Sequence, residues 1–100
     1  MSIQKRLKLL AAIQTASRLR DGGTYTEQAV GAGVCLVIWE QGAHLETAAI
    51  IELDRERITW NADAVGHREL VRELGRLKMT EAAAGSSSPL FRAARAEVMA

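Results

Sequence analysis

The sequence predicts an α+β fold: a helix, a three-stranded antiparallel meander, a second helix, and a short C-terminal helix on a flexible linker. Three observations carry this. Apolar residues recur at three- and four-residue spacings over the first twenty positions. The runs VCLVIWE and LETAAIIEL are rich in β-branched and aromatic residues and are separated by Gln41-Gly42-Ala43. Helical spacing then returns between Ala64 and Leu77.

Ser2 is placed to cap the first helix, which runs until Asp21-Gly22-Gly23 breaks it. At helical spacing Leu9, Ile13, Leu10, Ile3 and Leu7 share one broad arc, with Arg6, Ser17 and Arg20 intruding on it and Lys5, Lys8 and Arg18 scattered elsewhere. The methylene stems of Arg6 and Arg20 are expected to lie over the core edge with their heads in water. Residues 26–32, TEQAVGA, fit either an early start to the first strand or a helical turn capped by Thr26. In the second strand, strict alternation puts Ala49, Ile51 and Leu53 on one face and Ala48, Ile50 and Glu52 on the other. Asp54-Arg55-Glu56 reads as a solvated turn, after which Ile58 to Trp60 returns as the third strand.

Asn61 or Asp63 is positioned to cap the second helix, with Ala64, Leu70, Val71, Leu74 and Leu77 on its buried face. EAAAGSSS has the small, polar composition of a linker, and Ser88-Pro89 opens a last helix carrying Leu90, Ala94 and Val98 on one side. The expected organisation is a domain over residues 1–80, a linker over 81–88, and a helix over 89–100 that packs on the domain or on a second subunit.

One hundred residues, 48% of them apolar and 25% charged, suffice for one core, but only four are aromatic, so that core must be mostly aliphatic. The net charge of +1 conceals an imbalance: residues 1–20 hold five cations and no acid, leaving the other eighty at −4. A charge balance so close to neutral is far from that of a dedicated nucleic-acid binder. The single cysteine excludes an intrachain disulfide framework and favours a reducing, cytoplasmic setting. The longest apolar stretch, Ala29 to Trp39, is eleven residues long and too short to span a bilayer as a helix, so no membrane partner is expected.

The motifs that carry chemistry are incomplete. Cys35, flanked by Val34 and Leu36 in the most apolar run, reads as a small buried hydrophobe rather than a nucleophile. His44-Leu45-Glu46 and His67-Arg68-Glu69 match H-x-E, but no P-C-x-x-C segment completes a zinc site. Gly31-Ala32-Gly33 precedes a strand instead of opening a helix, and Ser86-Ser87-Ser88 has no base near it. His67 falls on the apolar face of the second helix, where a histidine is expected to bond a carbonyl or carboxylate at the core edge.

The order of elements resembles that of double-stranded-RNA-binding domains, which grip phosphate with lysines at the start of their second helix. The equivalent stretch here, NADAVGHREL, offers Arg68 as its one lasting cation. The reading that survives is a small non-enzymatic protein-binding module, an adaptor, regulator or inhibitor that docks on another protein and forms a homodimer, with no cofactor or metal. Trp39 and Trp60, expected on neighbouring strands, and His67 are its candidate partner-binding residues. The alternative is a nucleic-acid-binding regulator using Lys5, Arg6, Lys8, Arg18 and Arg20 for phosphate or an acidic surface.

Overall fold

A computed structural model describes residues 3–31, 33–64 and 66–99. Three helices flank a five-stranded mixed sheet: α1 (Ile3–Leu19), β1 (Thr24–Gly31), β2 (Val34–Gln41), β3 (His44–Glu52), β4 (Arg57–Asn61), α2 (Arg68–Gly75), β5 (Thr80–Ala84) and α3 (Pro89–Met99). The strands lie side by side in chain order. The first four form an antiparallel meander, and β5 joins β4 in parallel because α2 carries the chain back across the sheet.

The sheet is thus larger by two strands than the expected three-stranded meander. Residues 26–31, TEQAVG, belong to β1, a full strand paired with β2 rather than an extension of it, and Ala32 lies outside the described residues. EAAA, expected as linker, is β5, and the loop before α3 shrinks to residues 85–88. With β3 between them, Trp39 on β2 and Trp60 on β4 are not on neighbouring strands. Five strands with a helix threaded between the last two also depart from the order found in double-stranded-RNA-binding domains.

Both faces of the central strands are covered. Alternate residues of β2 divide between them: Cys35, Val37 and Trp39 face α1 and α2, while Leu36 packs with Ile50 beneath Phe91 and Ala94 of α3. This explains the unbroken apolar run VCLVIW, since a strand buried on two sides has no polar alternation. The main core joins Leu9 and Ile13 of α1, Ile51 of β3, Ile58 of β4, and Leu70 and Leu74 of α2. Each such side chain contributes about 1.5–3 kcal/mol by leaving water.

The register slips by one residue between β2 and β3, where Val37 pairs with Ala49 but Ile38 pairs with Thr47. Ala48 is the extra residue, and it joins Ala49 and Ile51 in the main core instead of the opposite face that strict alternation assigns it. The turn into β3 is closed by Gly42 at φ 58°, a left-handed geometry that side chains resist.

Helix α1 is aimed differently from the sequence expectation. Leu9, Ala12, Ile13 and Ala16 form its buried stripe, whereas Ile3 and Leu7 are 77% and 59% exposed. Helix α2 is shorter than expected and is preceded by His67, which occupies the N-cap without a side-chain cap bond. Asn61 instead ends β4 and accepts the Asp63 amide in a local turn at 3.0 Å, and Val71 is exposed. Ser88 does cap α3, its hydroxyl accepting from the Phe91 amide at 3.4 Å. Ser2 and the Val98 side chain lie outside the described residues.

Candidate functional site

The densest polar cluster joins five elements at one end of the sheet. Arg20 follows α1, Tyr25 stands on β1, Trp39 on β2 and Glu46 on β3, and His67 precedes α2. Arg20 Nη1 donates to the Tyr25 hydroxyl at 2.7 Å and lies 2.7 Å from His67 Nδ1. The hydroxyl itself is 2.8 Å from the same Nδ1, and His67 Nε2 is 2.8 Å from Glu46 Oε2. One protonation pattern satisfies all of these contacts: a neutral imidazole donating from Nε2 to the carboxylate and accepting at Nδ1.

The rings pack around this chain of bonds at tilted and edge-on angles. The Arg20 guanidinium carbon sits 4.1 Å from the Trp39 ring centre, and the Tyr25 and Trp39 centroids are 4.7 Å apart. Tyr25, Trp39 and His67 are 5%, 2% and 6% exposed. Burial lowers the affinity of His67 for a second proton; the Glu46 hydrogen bond opposes this and the nearby Arg20 charge adds to it. Burial likewise raises the Tyr25 pKa above its ordinary value, against the pull of Arg20. The hydroxyl–imidazole–carboxylate sequence ties the end of α1 and the start of α2 to β1 and β3 through side-chain bonds.

Of the candidate partner-binding residues, Trp39 and His67 meet in this cluster with centroids 6.3 Å apart. Both are interior, as a core role requires. Trp60 stands apart on β4, partly buried, and its Nε1 donates to Glu81 Oε1 of β5 at 2.8 Å. The five basic residues disperse. Arg6 grips Glu27 of β1 at 2.9 and 3.1 Å, Arg20 is committed to the cluster instead of holding its head in water, and Lys5 pairs with Glu56. Lys8 and Arg18 have no ion-pair partner among the described residues.

Sequence reasoning missed the participation of Arg20, Tyr25 and Glu46 in one cluster. The available signals were a histidine on an apolar face and an acid two residues after His44, but nothing local relates positions 20, 25, 46 and 67. No family model, curated protein or solved structure matches the chain.

Cys35 is 1% exposed, and burial, with a smaller push from Glu27, raises its thiol to about 12. Its alkylation in native protein is expected to be limited by opening of the core, and a rate matching that of a free thiol at neutral pH would contradict this placement. Among the described residues no group of three or more potential metal ligands converges, and no helix is long and apolar enough to cross a membrane.

Proposed function

We propose that the chain is a protein-binding module acting by surface docking, and that it forms a homodimer by joining β1 to β1 of a second copy. The observation that carries this reading is the open outer edge of β1. Ser17 Oγ serves both the Tyr25 amide, at 2.7 Å, and the Tyr25 carbonyl, at 3.1 Å, so the odd-numbered positions of β1 point away from β2. By alternation Glu27 and Ala29 present outward main-chain groups that meet no partner among the described residues.

Edges of this kind are ordinarily blunted by lysine, proline or a covering segment. TYTEQAVG contains neither residue, and its one charge is already held by Arg6. The opposite edge, β5, is shorter and entirely small or polar. Ile3 and Leu7 stand exposed on α1, the helix that packs over β1. A two-fold axis at Gln28 pairs Glu27 with Ala29 of the copy, avoids opposed like charges, and brings the two α1 helices toward each other on one face of a continuous sheet.

The test is the molar mass in solution. Light scattering is expected to give twice the 10.9 kDa of one chain. Ala29→Pro removes an outward amide while leaving the bonds to β2, and Leu7→Glu places charge on the exposed helix flank; each is expected to yield a monomer with an unchanged circular dichroism spectrum. A wild-type monomer at about 100 μM, a concentration that would populate any dimer tighter than that value, refutes the proposal.

The nucleic-acid alternative is weaker, because three of the five cations on which it rests are engaged within the chain.

A further inference from the structure

The other flank of α1 carries a site of different chemistry. Lys5 and Lys8 of α1 converge with Arg76 and Lys78, which follow α2, around a cavity of about 320 Å³. Its apolar wall is formed by Leu77 and Met79, both packed against the main core. The cations come from two separate parts of the chain, brought together by the packing of α1 against α2. A pocket of this volume is at the lower end of the range that holds small organic ligands.

The charge balance within it is one-sided. Glu56 pairs with Lys5, and Glu73 approaches Arg76 at 3.7 Å. Lys8 and Lys78 meet no carboxylate among the described residues. Two uncompensated ammonium groups, with a guanidinium beside them, leave a local positive potential that the overall charge of +1 does not reveal. Lysine supplies point charges suited to phosphate oxygens, and the Leu77 and Met79 side chains suit a flat or apolar body attached to that phosphate.

We propose that this pocket binds a phosphate ester of nucleotide size, with Lys8 and Lys78 holding the phosphates and Leu77 and Met79 contacting the organic part. Such phosphate belongs either to a free nucleotide or to a nucleic-acid strand, and the site favours the free form because its cations gather around one recess with an apolar wall and a carboxylate, Glu56, at its margin, rather than lying along an extended cationic stripe. The site lies apart from the β1 edge and does not depend on dimer formation.

Calorimetric titration with adenosine triphosphate, with inorganic pyrophosphate, and with a short single-stranded RNA tests it, each at about 50 mM salt where surface charge is incompletely screened. The expected result is saturable binding of the triphosphate, weakened about tenfold or more in Lys8→Gln and in Lys78→Gly, and altered less than about twofold in Arg18→Gln. Lys78 has φ 59°, so glycine there removes charge without backbone strain, and unchanged thermal unfolding certifies the fold. Leu77→Asn should weaken the nucleotide while leaving pyrophosphate binding unaltered. Failure of the triphosphate to bind, equal loss from Arg18→Gln, or RNA binding tighter than that of the triphosphate would each overturn the assignment.

Discussion

Gly23→Ala is expected to destabilise the fold by about 3 kcal/mol, at the upper end of what overpacking ordinarily costs. Gly23 leads from the end of α1 into β1, and a β-carbon there would collide with the Glu40 carbonyl and come within 2.6 and 2.8 Å of Trp39 ring carbons. Neither obstacle can move cheaply. Glu40 is held by its pairing with Thr24, and Trp39 is buried in contact with both Tyr25 and Arg20. Relief would shift the start of β1 away from β2 and disturb the polar cluster at the same time. Urea unfolding of the two proteins measures the difference; a loss below about 1 kcal/mol would mean that the strand ends part readily and that the close packing described here is not binding.

His67→Ala is expected to cost about 2–3 kcal/mol at neutral pH, since it leaves the Glu46 carboxylate without its imidazole donor and Tyr25 without its acceptor in a largely buried setting. The same substitution should alter the pH dependence. The neighbouring charged and titratable groups are Arg20, Tyr25, Glu46 and Glu69. With burial as the leading cause, aided by Arg20 and opposed by Glu46, the folded imidazole takes up its proton at lower pH than the unfolded one. Its contribution to stability is therefore complete above about pH 6.5, the ordinary value, and is lost progressively as pH falls toward the folded-state titration point. Unfolding free energies at about pH 7.5 and pH 5 should diverge more in the wild type than in His67→Ala. His44 lies 3.8 Å from the other oxygen of Glu46, so both proteins are compared in a His44→Gln background. Equal slopes would show that the imidazole is not held neutral by this environment.

The parts of the fold legible in the sequence are those where local pattern and tertiary burial agree. VCLVIWE and LETAAIIEL are recognisable because β2 and β3 lie in the middle of the sheet with both faces covered. The hairpin turns at Gly42 and at Asp54 to Glu56 are recognisable from turn chemistry alone. In contrast, β1 is an outer strand with several polar, exposed positions, so its sequence offers no clean alternation. Thr80–Ala84 is harder still: it lacks large β-branched residues, and its strand geometry derives from parallel pairing with β4, a partner some twenty residues earlier.

The candidate sites were less legible for a related reason. Arg20, Tyr25, Glu46 and His67 each satisfy another member, yet the bonds span up to 47 residues of sequence. Composition does show a cationic first helix, but only packing sorts its members into fasteners, such as Arg6 and Arg20, and the pocket residues Lys5 and Lys8. Arg76 and Lys78 look like ordinary solvated charges until the end of α2 is placed beside α1.

The extra residue in β3 settles which side chains the tip of the hairpin turns toward the buried imidazole. Because Ala48 and Ala49 count as one step, Glu46 lands opposite Trp39 and bonds His67 on the side covered by α1 and α2, and Leu45 and Thr47 are sent to the side of α3. An uninterrupted ladder would exchange them, presenting a threonine where the acid now stands. The presence of an anion beside His67 is therefore a matter of chain length as much as of amino-acid choice: a single-residue deletion could abolish it while every ligand of the imidazole stayed encoded.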